Sequence, residues 1–122
     1  MSYLRKARKL QSMVRGGDTV AALDEFYHPD VKVWEMPTGE IRHGREAQRE
    51  AIQAWEKSID QVHDSGNESV TADEENAVTL AETWIDLTNS DGKRVKMKEV
   101  SVQKWKGDRI IEEKFYYHLP AE

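Results

Sequence analysis

The chain has 122 residues, enough for one hydrophobic core or pocket but not for two. With 38% hydrophobic and 34% charged residues and a mean hydropathy of −0.82, apolar side chains are scarce and must gather on a few faces. A net charge of −5 argues against nucleic acid as a partner, and the lack of cysteine excludes disulfides and thiol catalysis.

Taken in chain order, Leu4, Ala7, Leu10 or Gln11, and Val14 recur at helical spacing, with Arg5, Lys6, Arg8 and Lys9 on the other, solvated face. Gly16-Gly17 stops this helix, and Asp18 suits the N-cap of the next. That second helix carries Val20, Leu23, Phe26 and Tyr27 as its stripe and ends at Pro29, which lacks an N–H. A strand over 31–36 follows, closed by the turn Pro37-Thr38-Gly39. A long helix is predicted over 45–62, with Ala47, Ala51, Ile52, Trp55, Ile59 and Val62 on one face and Gly66 closing it. From Asn67 the period changes to two. Strands are predicted over 68–73, 77–88, 94–106 and 109–118, separated by Glu74-Glu75-Asn76, Asn89-Ser90-Asp91-Gly92 and Lys106-Gly107-Asp108. Short loops between consecutive strands predict an antiparallel meander. Helices first and strands last predict an α+β domain over 1–122, with the strand 31–36 joining an edge of the sheet. No apolar leader precedes the first helix and no stretch approaches membrane-spanning length, so no membrane partner is expected and the cytoplasm is the default location.

Phe26 to Glu35 is the most informative stretch. Val31, Val33 and Glu35 share one strand face, and a carboxylate that continues an apolar face is costly to bury unless it is used, or is paired with Arg42, Arg45 or a tyrosine. The order of helix, Tyr27-His28-Pro29-Asp30, a strand ending in an acid, a Pro-Thr-Gly turn, and His43-Gly44-Arg45-Glu46-Ala47 opening a helix resembles the nuclear transport factor 2-like superfamily. Within it, the SnoaL-like and ketosteroid-isomerase-like branch is the most similar. The resemblance covers nearly the whole chain. It implies a cone-shaped half-barrel of curved antiparallel sheet packed on N-terminal helices, with a pocket between them. It also implies a small-molecule ligand, no cofactor, and a homodimer formed through the outer face of the sheet. By the same resemblance Glu35 falls at or beside the general-base aspartate of ketosteroid isomerases. The tyrosine of those enzymes falls near Leu10 and their second acid near Ser101, so steroid isomerisation is not implied.

Strand alternation then groups the other candidates. Ile111, Glu113, Phe115 and Tyr117 share a face, opposed by Ile110, Glu112, Lys114, Tyr116 and His118. Val78, Leu80, Glu82 and Trp84 are in phase, as are Met97, Glu99, Ser101, Gln103 and Trp105. Because Val100 and Val102 lie opposite Glu99 and Ser101, a bulge or two-sided burial is expected there, and a dimer contact would suit it. If these faces point inward, Glu35, Glu82, Glu99 and Glu113 meet in a space lined by Trp34 or Trp84, Phe115 and Tyr117. Clustered carboxyls in an apolar enclosure cannot all stay ionised, so at least one pKa should rise, as acid–base chemistry at neutral pH requires. The plain alternative is that such acids face water or pair with Arg94, Lys96, Lys98 or Lys114.

His28 and His63 have structural readings, at a helix exit and a helix C-terminus, whereas His43 lies near an expected pocket mouth and His118 ends the last strand. No two histidines have metal-ligand spacing, and no phosphate loop or nucleophile motif is present. The expected function is binding of a small, partly apolar molecule, with a cofactor-free isomerase, cyclase, dehydratase or hydrolase as the enzymatic form. In that form Glu35 transfers the proton, His43, Tyr117 and His118 assist, and Tyr27, Trp34, Glu82, Trp84, Glu99, Glu113 and Phe115 line the site. A non-catalytic ligand-binding or assembly module is the alternative.

Overall fold

Residues 2–118 are described by a computed structural model in which three helices lie against a curved, unclosed sheet of six strands. Helices α1 (Tyr3–Arg15) and α2 (Thr19–Phe26) come first. The hairpin of β1 (Tyr27–Glu35) and β2 (Glu40–His43) follows, then α3 (Arg45–Lys57). Four strands complete the chain: β3 (Ile59–Asp73), β4 (Val78–Asn89), β5 (Arg94–Lys106) and β6 (Arg109–Tyr117). The sheet order is β2-β1-β6-β5-β4-β3. The last four strands form the predicted antiparallel meander, while β1 joins β6 in parallel. The strand expected at an edge therefore lies second in the sheet, because β2, which the sequence did not reveal, covers it. No described helix is long and apolar enough to cross a membrane.

Local chemistry explains the helix ends. Ser2 Oγ accepts from Arg5 N at 3.1 Å, and Glu74, from the β3–β4 turn, accepts from Tyr3 N at 2.8 Å and Leu4 N at 3.0 Å. Three orphan donors at the start of α1 are thus satisfied, one set from across the sheet. Helix α2 stops at Phe26 rather than at Pro29, and β1 runs through the proline. Pro29 sits where the β1–β6 register shifts between Tyr27 and Lys32, an irregular spot where a missing N–H costs little. Tyr27 is consequently a strand residue.

Two further expectations are corrected. The third helix ends at Lys57, not at residue 62. The Ser58 N–H bonds the Ala54 and Trp55 carbonyls, and its Oγ takes the Trp55 carbonyl at 2.6 Å, a side-chain competition that closes the helix. Ile59 and Val62 continue the helical spacing by coincidence and instead pair with Asn89 and Leu87 of β4; His63 is likewise on β3, bonded to Thr88 Oγ1 at 2.7 Å. Gly66, expected to close that helix, lies inside β3 opposite Trp84. The other correction concerns β6, where Ile111 is an extra residue between the pairs Lys104–Glu112 and Trp105–Ile110. This bulge turns Ile110 inward along with Glu113, so Ile110 is fully buried although simple alternation places it outside.

The packed core fills one end of the concave face: Leu10, Ala22, Leu23, Phe26, Tyr27, Val31, Val33, Trp105 and Ile110. Phe26 meets Trp105 edge to face, with ring centroids 5.8 Å apart. The other end of the face stays open. On the outer face, a β-carbon at Gly66 would lie 2.9 Å from the Trp84 indole, so only glycine leaves room for the ring there. Gly66→Val should therefore lower stability by about 1–3 kcal/mol, as overpacking does. Thermal melts of this variant alone and with Trp84→Ala check the cause: the second change should restore most of the loss.

Candidate functional site

The open end of the concave face encloses a cavity of about 1150 Å³ between the sheet, α1 and α3. Its apolar wall includes Val14, Ile52, Trp55, Ile59, Met97 and Phe115. Its polar floor is built by inward positions of β1, β5 and β6: Tyr27 and Glu35, Glu99 and Ser101, Glu113 and Tyr117. Strand alternation delivers these side chains, and the pairings Ser101–Phe115, Gln103–Glu113 and Glu99–Tyr117 bring β5 and β6 into register beneath the cavity.

Glu35 has both oxygens engaged. Arg42 Nη2 donates to Oε2 at 2.7 Å and the Tyr117 hydroxyl donates to Oε1 at 2.9 Å. The ion pair is largely withdrawn from water, with side-chain exposures of 14% for Arg42 and 17% for Glu35. Arg42 is further held by Gln48 Oε1 at 2.7 Å and by Glu40 at 3.2 Å. Its position follows from the hairpin register: Arg42 pairs with inward-facing Val33, whereas His43 pairs with outward-facing Lys32. Of the two settings open to Glu35 from sequence, an apolar pocket or a pairing with Arg42, Arg45 or a tyrosine, the structure shows the paired one, with a guanidinium and a phenol.

Glu113 sits deeper, 2% exposed. The Tyr27 hydroxyl donates to one oxygen and Gln103 Nε2 to the other at 2.8 Å. Thr79 Oγ1 donates to Gln103 Oε1 at 2.8 Å and Trp105 Nε1 to Thr79 at 2.9 Å, so one directed chain of hydrogen bonds runs from the core to the cavity floor. Burial pushes the Glu113 carboxyl up to about 7, against the lowering effect of the Tyr27 and Gln103 donors and with a smaller push from Glu35. Burial, followed by the Glu113 charge, raises the Tyr27 phenol well above its ordinary value.

Glu99 differs from both. No donor or cation is among the influences on it: burial, then the charges of Glu113 and Glu35, raises it to about 7. It lines the cavity as a carboxyl without a hydrogen-bond partner among the described residues. Tyr117 is raised to about 12, first by burial and then by Glu35.

Of the sequence candidates, the cavity gathers Tyr27, Glu35, Trp84, Glu99, Glu113, Phe115 and Tyr117. Four others are not part of its wall. Trp34 lies on the outer face between the ammonium groups of Lys32, at 4.6 Å from its ring, and Lys114, at 5.4 Å. Glu82 accepts from Ser69 Oγ at 3.0 Å and borders a small outer groove, because β4 turns Thr79, Ala81 and Thr83 inward instead of the Val78-to-Trp84 set. Trp84, outward by the same alternation, borders both spaces and stacks beneath Lys96 at 4.6 Å. His43 is exposed on β2, and His118 is exposed beyond the end of β6. Of the partners the sequence offers Glu35, namely Arg42, Arg45 or a tyrosine, the structure uses Arg42 and Tyr117. Gln48, which holds Arg42 in place, and the β1–β2 hairpin that seats it were not read from the sequence, although the Pro-Thr-Gly turn signals that hairpin. Among the described residues no group of three His, Cys, Asp or Glu side chains is placed to hold a metal ion.

The raised acids have a consequence for stability. Between the ordinary glutamate value of 4.5 and about 7, the folded protein holds protons that the unfolded chain has released. Stability therefore falls as pH rises through that window. Melting temperatures measured across it should decline, and Glu99→Gln should flatten the decline and melt higher than the unchanged protein above it. A variant with the same pH profile as the unchanged protein would contradict the assignment to Glu99.

A model of the SnoaL-like domain family matches residues 7–113. Among solved structures, a candidate SnoaL-like polyketide cyclase from Mesorhizobium loti is 27% identical, with a TM-score of 0.82 over 96% of this chain and 100% of its own. An NTF2-like protein of unknown function from Burkholderia pseudomallei is 15% identical, with a TM-score of 0.80 over 97% of this chain and 92% of its own. A candidate isomerase from Bacillus subtilis is 16% identical, also with a TM-score of 0.80, over 97% of this chain and 90% of its own. No curated protein matches the sequence. The element order, the open half-barrel and the family match agree, and the chain belongs to the SnoaL-like domain family.

Proposed function

We propose that residues 1–122 act as one SnoaL-like domain that binds a small, partly apolar molecule in the cavity and moves a proton on it without a cofactor. The observation that carries this reading is the meeting of three carboxyls at an apolar-walled cavity, one of them, Glu99, unpartnered and raised to about 7. A group poised near neutral pH serves in both protonation states: un-ionised Glu99 donates to a developing oxyanion, and ionised Glu99 removes a proton from the neighbouring carbon. By the resemblance Glu35 falls at or beside the position of the general base of ketosteroid isomerases, but its oxygens are committed to Arg42 and Tyr117. Its proposed part is a fixed anion that orients Tyr117 and sharpens the rise at Glu99, with the transfer itself on Glu99. The reaction classes that fit are isomerisation, cyclisation or dehydration beside a carbonyl. The similarity to a candidate polyketide cyclase and a candidate isomerase supports this range.

A non-catalytic binding module is favoured by one specific observation: the oxygens of Glu35 and Glu113 both accept from protein donors, leaving Glu99 as the one acid of the floor without a donor among the described residues. Exchange of α-protons for deuterium in a panel of aryl and cyclic ketones, amine-bearing members included, separates the two readings. Catalysis predicts exchange above the buffer rate, slowed about two to four orders of magnitude by Glu99→Gln. Binding that Ala51→Trp abolishes by filling the cavity, with no exchange by the unchanged protein, would favour the module.

The outer face carries Trp34, Leu80, Val100, Val102 and a 42% exposed Tyr116, and we propose that a second copy covers it. Light scattering at high micromolar concentration should give a dimer that Val100→Lys splits; a monomer at that concentration would overturn this assembly.

A further inference from the structure

We infer that the cavity selects ligands carrying a positive charge on an apolar body, such as an amine or quaternary ammonium compound, with Glu99 as the anion that receives the charge. This rests on the reading of the cavity as a small-molecule site and names its ligand class.

Two independent features point to it. The first is charge: six carboxyl side chains line the cavity against three cations, Arg15, Arg42 and Lys98. Arg42 is already spent on Glu35 and Glu40. Arg15 donates to Asn67 at the wall, and Lys98 is exposed. Among the described residues, Lys98 is thus the one lining cation without a hydrogen-bond or ion-pair partner, and it stands exposed on the strand position next to Glu99. The second is Glu99 itself, a half-buried carboxyl that lines the space, and the outer groove as well, without a hydrogen-bond partner among the described residues. Glu35 and Glu113 each have two donors. A carboxyl held in that state gives up part of its hydration with no protein donor in return, and a ligand cation is a group that would restore it. The wall supplies the rest of such a ligand's needs. Trp55 and Phe115 offer ring faces that attract cations as well as hydrocarbon, while Ile52 and Ile59 cover an apolar body. An anionic ligand, by contrast, would meet Glu35, Glu99 and Glu113 together.

Glu99 stands opposite Tyr117 of β6 and feels the charges of Glu113 and Glu35, and its own charge acts on Tyr27; Arg42 of β2, Asp64 and His63 of β3 and Lys98 of β5 also line the cavity. A cation that needs ionised Glu99 binds more tightly as pH rises through the range in which that carboxyl loses its proton. The Glu99→Gln variant isolates its share from those of Glu113 and His63.

The probes are benzyltrimethylammonium, its neutral near-isostere dimethylbenzylcarbinol, and phenylacetate, titrated calorimetrically at about pH 6 and about pH 8. The permanent cation should bind about tenfold tighter at the higher pH, since roughly that change in ionised Glu99 is expected across the interval. It should also exceed the carbinol there by about tenfold, the factor that roughly one pK unit of interaction represents. Phenylacetate should be the weakest. Glu99→Gln should remove most of the preference and of the pH dependence. Should that variant fail to fold, the pH series on the unchanged protein still decides. Equal binding of cation and carbinol, or tighter binding of phenylacetate, would overturn the cation preference and leave the small-molecule reading standing. Failure of all three probes to bind would overturn both.

Discussion

Acidic side chains on a concave face with too few cations to neutralise them are the constraint on which the rest of this structure depends. Each acid is managed differently. Glu35, nearest the sheet edge, receives a guanidinium from the β2 hairpin and a phenol from β6. Glu113, deepest, receives two neutral donors and stands at the end of a hydrogen-bonded chain that begins at Trp105 in the core. Glu99 receives nothing and rises instead. The cost of holding these groups is offset at the other end of the face, where α1 and α2 close over Leu10, Leu23, Phe26, Val31, Val33 and Ile110. Fully burying a side chain of this size contributes about 1.5–3 kcal/mol. A chain of 122 residues that spends part of its face on an open cavity has to concentrate its core in this way.

The layering explains why the site is rigid on one side and open on the other. The chain Trp105–Thr79–Gln103–Glu113–Tyr27 spans β5, β4, β6 and β1, and every donor in it has an acceptor. It forms a polar shelf between the packed core and the cavity. A buried network of this kind fixes rotamers, so Glu113 and Tyr27 are held in place, while the wall formed by α3 and the start of β3 turns Ile52, Trp55, Ile59 and Val62 to the cavity. Trp55 and Val62 remain substantially exposed, which suits a wall meant to be covered by a ligand.

Much of this was legible in the sequence, for physical reasons that can be named. Val31, Val33 and Glu35 announce the inward face of β1 because a period of two has one solution when the opposite residues are Lys32 and Trp34. Glu113, Phe115 and Tyr117 follow in the same way on β6. The period fails where both faces carry apolar residues: β4 offers Val78, Leu80 and Trp84 against Ala81, Ile85 and Leu87, and only tertiary packing decides that the second set turns inward. It fails again at Ile110, because an inserted Ile111 shifts the phase and leaves no local mark. Ile59 and Val62 lie at helical spacing from Trp55, and the competing force, a full-length partner in β4, is not local either. Arg42 is one of the partners the sequence offers Glu35, beside Arg45 and the tyrosines, but a four-residue edge strand carries too little pattern to show that the hairpin seats Arg42 there.

The central claim is that Glu99 and Glu113, set into the floor of one cavity with Glu35, both hold their protons to higher pH than an ordinary glutamate. Titration of side-chain carboxyl resonances by NMR, with glutamate labelled at that carbon, reads this directly. Two resonances should titrate near 7, well above the ordinary 4.5, and one of them should vanish in Glu99→Gln while the other moves down as its charged neighbour is lost. A spectrum in which every glutamate titrates near 4.5 would contradict the account.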